Sequence, residues 1–424
     1  MQRIPLGRHT ILRETLENGL EVLILADPSS PVTAFHHWFK VGSRNEREGK
    51  TGLAHLFEHL MFGETENLRR GEFDRRIEAV GAHMNAATWL DWTYYHETFL
   101  PDHLAMMAEL EAERMARLVL GEEQVAREKD VVANERRFRV ENSVEGAASE
   151  LLWKDAFRRH PYHHPTIGWM DDILGFTVED CRAFYRTYYA PNNCVVVVAG
   201  PVDEQQTLDV VRRTHGFMKA QPLPPDEAVA EPDQDGERLN RLSWPTPTPK
   251  TCVAWRSPQL LHPDHAALTV LSQVLLGGRS GRLQRRLVHD GEIAADVSGG
   301  PGSLRDPSLL EIWVDLREGH SHEEALGVID AEVRAVGETP PRPEEIETAR
   351  NQVLLAFRSA LETAAAYAER IGFYQVTVGD PGAIARRQDE LLRVRAEDVS
   401  EAARRYFLPR TRNVLLVDAA EAAS

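Results

Sequence analysis

His55, Glu58 and His59 lie in Ala54-His-Leu-Phe-Glu-His-Leu60 and read H-x-x-E-H. Residues four apart share one face of a helix, so both imidazoles can reach a single metal ion. Glu58, three residues after His55, lies on the same face beside whatever the metal binds. Two imidazoles suit zinc, and a free carboxylate next to a metal-activated water is what peptide hydrolysis needs. The spacing thus supplies a metal site and a general base together. In a chain with 17 His the five-residue pattern alone is only suggestive. Its flanks strengthen it: Ala54, Leu56, Phe57, Leu60, Met61 and Phe62 are apolar. Ionisable groups buried among them are costly unless paired or metal-bound.

Two imidazoles and a water leave a catalytic zinc one protein ligand short. A helical pattern over 122–139 offers Glu128 and Glu135, two turns apart on one face. Val131 and Val132 give that helix an apolar side to press against the motif helix. Residue physics alone does not choose between the two carboxylates, or exclude Glu123. Upstream, strands are predicted over 11–16, 21–26 and 32–41, with Asn18-Gly19 marking a turn. A helix over 73–80, a strand-like stretch over 84–99 and a long helix over 102–118 follow. Strands alternating with helices in this way predict an α+β domain, with helices packed on a largely antiparallel sheet.

A chain of 424 residues is too long for one ordinary core and predicts two or more domains. The pattern repeats. Glu179/Glu397, Asp180/Asp398, Tyr188/Tyr406 and Pro191/Pro409 match at one offset of 218, each set leading from a helix into a short apolar strand. Between the copies, Gln221 to Gly236 is rich in proline and acid and reads as a linker. The division expected is therefore 1–220, a linker over 221–236, and a homologous α+β domain over 237–424. Hydrophobic residues at 42% and charged residues at 27% are those of a globular protein. No apolar run approaches a membrane span, and the first residues lack the apolar core of a signal peptide. Cys181, Cys194 and Cys252 are few, odd in number and scattered, which fits a reducing cytoplasm rather than a disulfide framework. A net charge of −17 argues against nucleic acid and anionic membrane as partners.

Further motifs accompany these: Gly81-Ala-His-Met-Asn-Ala-Ala-Thr88, Asp91-Trp-Thr-Tyr94, His160-Pro-Tyr162, Ile167-Gly168 and Ala190-Pro-Asn-Asn193. Together with H-x-x-E-H and the Glu128…Glu135 pair, they resemble the pitrilysin, insulysin and mitochondrial processing peptidase family of zinc metallopeptidases, the inverzincins. The likeness spans nearly the whole chain. It implies one zinc ion per chain, held by His55, His59 and Glu135. Glu58 would activate water, and Glu128 would support the site from beside it. Asn85 and Ala86 match the strand that binds substrate backbone in such enzymes, which fits the physics of adding a peptide strand to a sheet edge. An ordinary edge strand would read the same way.

The second copy has none of these groups. Gln273, Leu276 and Gly277 fall opposite His55, Glu58 and His59, while Ala349 and Ala356 fall opposite Glu128 and Glu135. The resemblance also implies an arginine and a tyrosine seven residues apart after the Gly-rich turn at 277–281, and Val288 and Ala295 stand there instead. Neither can donate to a developing oxyanion. The reading is a peptidase acting on peptides or unfolded polypeptide, with a homologous partner subunit, or a second copy, supplying the missing pair. A non-catalytic assembly subunit is the alternative, and a processing peptidase that removes targeting leaders is a third. His160, His163 and His164 in a proline-bounded loop, and Arg279, Arg282, Arg285 and Arg286 near the Gly-rich turn, read as a loop cluster and a solvated face. His36 and His37 alternate faces of a strand and cannot act as a pair.

Overall fold

A computed structural model describes residues 1–226 and 229–420. They form two compact units, and each unit draws on both halves of the chain. The first comprises Met1–Phe138, His164–Val229 and Ala360–Ala385; the second comprises Arg139–His163, Ala230–Ser359 and Arg386–Ser424.

The first unit is built on seven strands: β1 (Gln2–Leu6), β2 (His9–Thr15), β3 (Glu21–Ala26), β4 (Thr33–Phe39), β5 (His83–Thr88), β6 (Thr93–Phe99) and β7 (Cys194–Gly200). Their order is β1-β2-β3-β7-β4-β6-β5, antiparallel except for the β3/β7 pair. The stretch over 84–99 is thus two strands, folded back so that Asn85 lies opposite His96. β7 carries four consecutive valines, all buried, as a strand covered on both faces requires. Successive side chains of β4 point to opposite faces. His37 meets helices Leu104–Arg117 and Glu204–His215 through Glu111 and His215. Trp38 faces the other way, against helix Ala364–Val378. A Cβ on Gly372 of that helix would stand 2.0 Å from the Trp38 indole nitrogen, so only glycine permits the approach.

The second unit holds β8 (Arg238–Trp244), β9 (Lys250–Ser257), β10 (Ala294–Pro301), β11 (Ser308–Leu316) and β12 (Asn413–Ala419). Their order is β10-β11-β9-β12-β8, antiparallel except for β12/β8. This repeats β5-β6-β4-β7-β3 strand for strand, parallel pair included, so the duplication seen in four residue matches extends to topology. One face packs on helices Pro263–Leu276, His322–Glu338 and Ala396–Tyr406. From the other face Glu311 accepts hydrogen bonds from Trp313 on the same strand and from Trp153, on helix Val144–Ala156.

The α+β architecture and the largely antiparallel sheets are as the sequence predicts. The compact units, however, cross the boundaries at 220 and 237. Each sheet has two apolar faces to cover, and its second cover is a helix from the other half of the chain: 364–378 in the first unit and, 220 positions earlier, 144–156 in the second. The described residues of 221–236 form no helix or strand.

Candidate metal centre

Residues Leu53–Leu60 form the motif helix, with Leu53, Ala54, Leu56, Phe57 and Leu60 buried. It starts at Gly52, whose φ of 89° suits glycine, and a Cβ there would stand 2.3 Å from the Ile167 carbonyl oxygen. The Glu46 carboxylate closes this end, accepting the N–H groups of Gly52 at 2.8 Å and Ala54 at 2.6 Å. Burial pushes the Glu46 carboxyl well above the usual carboxylate range, and nearby Asp172 adds to this against the two N–H bonds. Asp172 accepts from both the N–H and the hydroxyl of Thr51, and Thr51 in turn accepts from the Trp169 N–H. The first turn of the motif helix is thereby tied to Trp169 and to the start of helix Met170–Gly175. Sequence reasoning missed Glu46, Thr51 and Asp172, because no spacing rule links a carboxylate nine residues before a histidine to a helix start.

His55 and His59 aim their Nε2 atoms at one carboxylate oxygen. Glu135 Oε2 lies 3.7 Å from His55 Nε2 and 3.3 Å from His59 Nε2. Glu135 comes from helix Glu122–Arg136, which packs against the motif helix and donates to its Leu60 carbonyl from Gln124; Val132 is buried, whereas Val131 is 43% exposed. The apolar side expected from both valines rests on one of them. The donor atoms of His55, His59 and Glu135 all lie within 4.8 Å of one another, the sole such group of three among the described residues. Ligands about 2.1 Å from a tetrahedral zinc stand about 3.4 Å apart, so the two short separations fit that ion. For His59, burial disfavours the imidazolium, but hydrogen bonding and charge from Glu135 outweigh it and raise its pKa.

Glu58 is half-buried on the same helix, one residue before His59, and its charge reaches both His59 and Tyr94. Glu128 lies seven residues before Glu135, on the same helix, with its carboxylate 3.3 Å from the Arg127 guanidinium. Its charge acts on His59, but it is outside the three-donor group. Glu123 is exposed. Asn85 and Ala86 lie on β5, the sheet edge beside the motif helix. Asn85 is exposed, and its Oδ1 accepts the Ala86 N–H at 2.9 Å, so the edge strand occupies its own donor with a side chain that can be displaced.

Beneath the site, Arg114 is buried between Glu111 at 2.6 Å and Glu97 at 3.2 Å, over the rings of Tyr95, Phe73 and Phe62. His37 joins this network through Glu111 and His215, while His36, on the opposite face, packs on Tyr94 and His96. Trp92 packs on Trp38 and Tyr94, and Trp89 is 49% exposed. His160 bonds Asp306 and His164 lies 3.7 Å from Glu46, so the loop histidines serve separate contacts. Arg282, Arg285 and Arg286 each pair with a carboxylate. In the second unit Gln273, Leu276 and Ala349 hold the places of site residues on helices Pro263–Leu276 and Pro343–Ser359, which pack together without a donor group.

Residues 21–169 match the family described as "Insulinase (Peptidase family M16)", and residues 175–353 match "Peptidase M16 inactive domain". "Zinc protease PqqE" of Helicobacter pylori is 32% identical over 407 residues, spanning 93% of this chain and 89% of that one. A probable mitochondrial-processing peptidase subunit beta of Arabidopsis thaliana is 23% identical over 93% of this chain and 75% of its own. A crystal structure of a protease from Helicobacter pylori superposes with a TM-score of 0.93 at 30% identity, covering 98% of this chain and all of that one. Two matched regions, lying where the donor group is present and where it is missing, place the chain in peptidase family M16.

Proposed function

We propose that this chain is a zinc-dependent endopeptidase or oligopeptidase and the catalytic member of a paired assembly. The observation that carries this is the convergence of His55, His59 and Glu135 on one point, with Glu58 beside them. Zinc held there would supply Lewis-acid polarisation of a substrate carbonyl and make water more acidic. The chain's own groups do the rest. The Glu58 carboxylate takes the proton of the attacking water and returns it to the leaving amine. Glu128 keeps negative charge near His59 and so favours its orientation toward the metal. The outward Ala86 N–H, released from Asn85, pairs with the backbone of an extended peptide added to β5.

Val288, partly buried in the second unit, and Ala295, exposed on β10, carry no polar side-chain atom to meet a developing oxyanion. This supports a homologous partner subunit, or a second copy, that brings the arginine and tyrosine. Three free, buried cysteines favour a reducing compartment such as the cytoplasm, and no described helix is long and apolar enough to cross a membrane. The purified chain should contain about one zinc per chain by elemental analysis, yet cleave peptides poorly alone and well with its partner. Glu58→Gln should keep the metal and lower kcat by about 100- to 10,000-fold. Full activity from the isolated chain would remove the need for a partner, and metal-free protein would remove the zinc reading. An assembly subunit without activity is the second reading; the complete donor group weighs against it.

A further inference from the structure

The second unit contains a cavity of about 430 Å³ between helices His322–Glu338 and Ala396–Tyr406, lined wholly by residues of that unit. This is the size of a small-molecule site. Its apolar floor includes Trp255 and Phe407, which meet edge to face with ring centroids 4.6 Å apart, and Val333 beside them. Trp255 is 2% exposed and its indole N–H has no hydrogen-bond partner among the described residues, a state buried donors rarely keep.

The rim carries charges without counter-charges. Arg404 donates to the Gly337 carbonyl at 2.7 Å, but neither Arg404 nor Arg334 meets a carboxylate among the described residues, and Glu338 meets no cation. Arg412, on the same rim, is by contrast taken up by Glu237 and Asp330. Arg334 and Glu338 are four apart on one helix, a spacing at which opposite charges ordinarily pair. Gly337, between them in sequence, leaves the space beside the Arg404 stem without a side chain.

We propose that this cavity binds a small zwitterion with an apolar body, of the free amino acid or dipeptide class. Its carboxylate would lie on Arg404 and Arg334, its ammonium on Glu338, and its side chain over Trp255 and Phe407. Arginine holds a carboxylate through paired N–H groups, whereas the unpaired Glu338 repels a multiply charged anion such as phosphate. The site stands independently of the metal reading. Isothermal titration of the full chain tests it, with L-phenylalanine and glycyl-L-phenylalanine as the two sources. One of them should bind saturably, and the tighter identifies the source. Glycine, N-acetyl-L-phenylalanine and L-phenylalaninamide should each bind at least about tenfold more weakly, as expected when an apolar or charged contact is lost. Arg404→Gln and Glu338→Gln, both at exposed positions, should weaken binding by a similar factor with zinc content and melting temperature unchanged. No saturable heat from either zwitterion, equal binding of the blocked derivatives, or wild-type binding by both variants would overturn the proposal.

Discussion

Two imidazole nitrogens and one carboxylate oxygen converge because their side chains leave two helices that pack against each other. Either helix alone could not hold them: His55 and His59 supply two donors, and Glu135 arrives from 76 positions further along. Seven residues separate Glu128 from Glu135, yet only Glu135 reaches the group, because two helical turns carry Glu128 along the axis beside Arg127. At β5 the self-satisfied Ala86 N–H gives a test of strand addition. Ala86→Pro removes that outward donor at an edge position, where proline is tolerated. KM for an extended peptide should rise by about tenfold, the loss of one backbone hydrogen bond, while zinc content and kcat stay near wild type. Unchanged KM would exclude this edge as the docking strand.

The motif helix is only eight residues long, too short to persist unaided, so its position depends on what closes its ends. Glu46 satisfies two of its first N–H groups from a fully enclosed position. Glu46→Ala leaves both without an acceptor and should cost about 2–4 kcal/mol in thermal unfolding. Glu46→Gln keeps one acceptor oxygen and should fall between Ala and wild type. Equal melting temperatures for all three would show that the cap is dispensable. In the second unit Glu345 plays a comparable part for helix Pro343–Ser359, accepting from Arg282 and from the Arg342 N–H. Burial opposes its ionisation, but the Arg282 and Arg342 hydrogen bonds outweigh that and hold its carboxyl down to about 2. A folded pKa below the unfolded value of about 4.3 stabilises the fold above that pH, and the contribution is lost as pH falls toward the folded value. Glu345→Gln should therefore flatten the fall in urea midpoint across that window, relative to wild type, and an unchanged slope would sink the assignment.

For the molecule as a whole, the exchanged helices set what can fold alone. Residues 1–226 contain the donor group but lack helix Ala364–Val378, which covers Trp38 on one face of the first sheet. Expressed alone, this fragment should aggregate or bind a hydrophobic dye, because an uncovered sheet face exposes a large apolar patch. Fusing residues 360–385 to its end should restore a monodisperse species by size-exclusion chromatography. A well-behaved fragment without that helix would contradict the account. The repeated strand order makes the exchange reciprocal, since the helix lost by each half lies at the equivalent position.

By itself the amino-acid sequence determined the local chemistry: a helix bearing His55, Glu58 and His59 on one face, strands such as Cys194–Gly200 marked by consecutive valines, and the duplication carried by four matched residues. These follow from periodicity and side-chain type, which act over a few turns or strand residues. Tertiary structure alone decided which of Glu123, Glu128 and Glu135 meets the imidazoles, that Glu46 anchors the motif helix, and that each sheet is completed by a helix from the distant half. Those choices depend on contacts between segments far apart in the chain, where packing of apolar faces, and not the preferences of neighbouring residues, selects the partner.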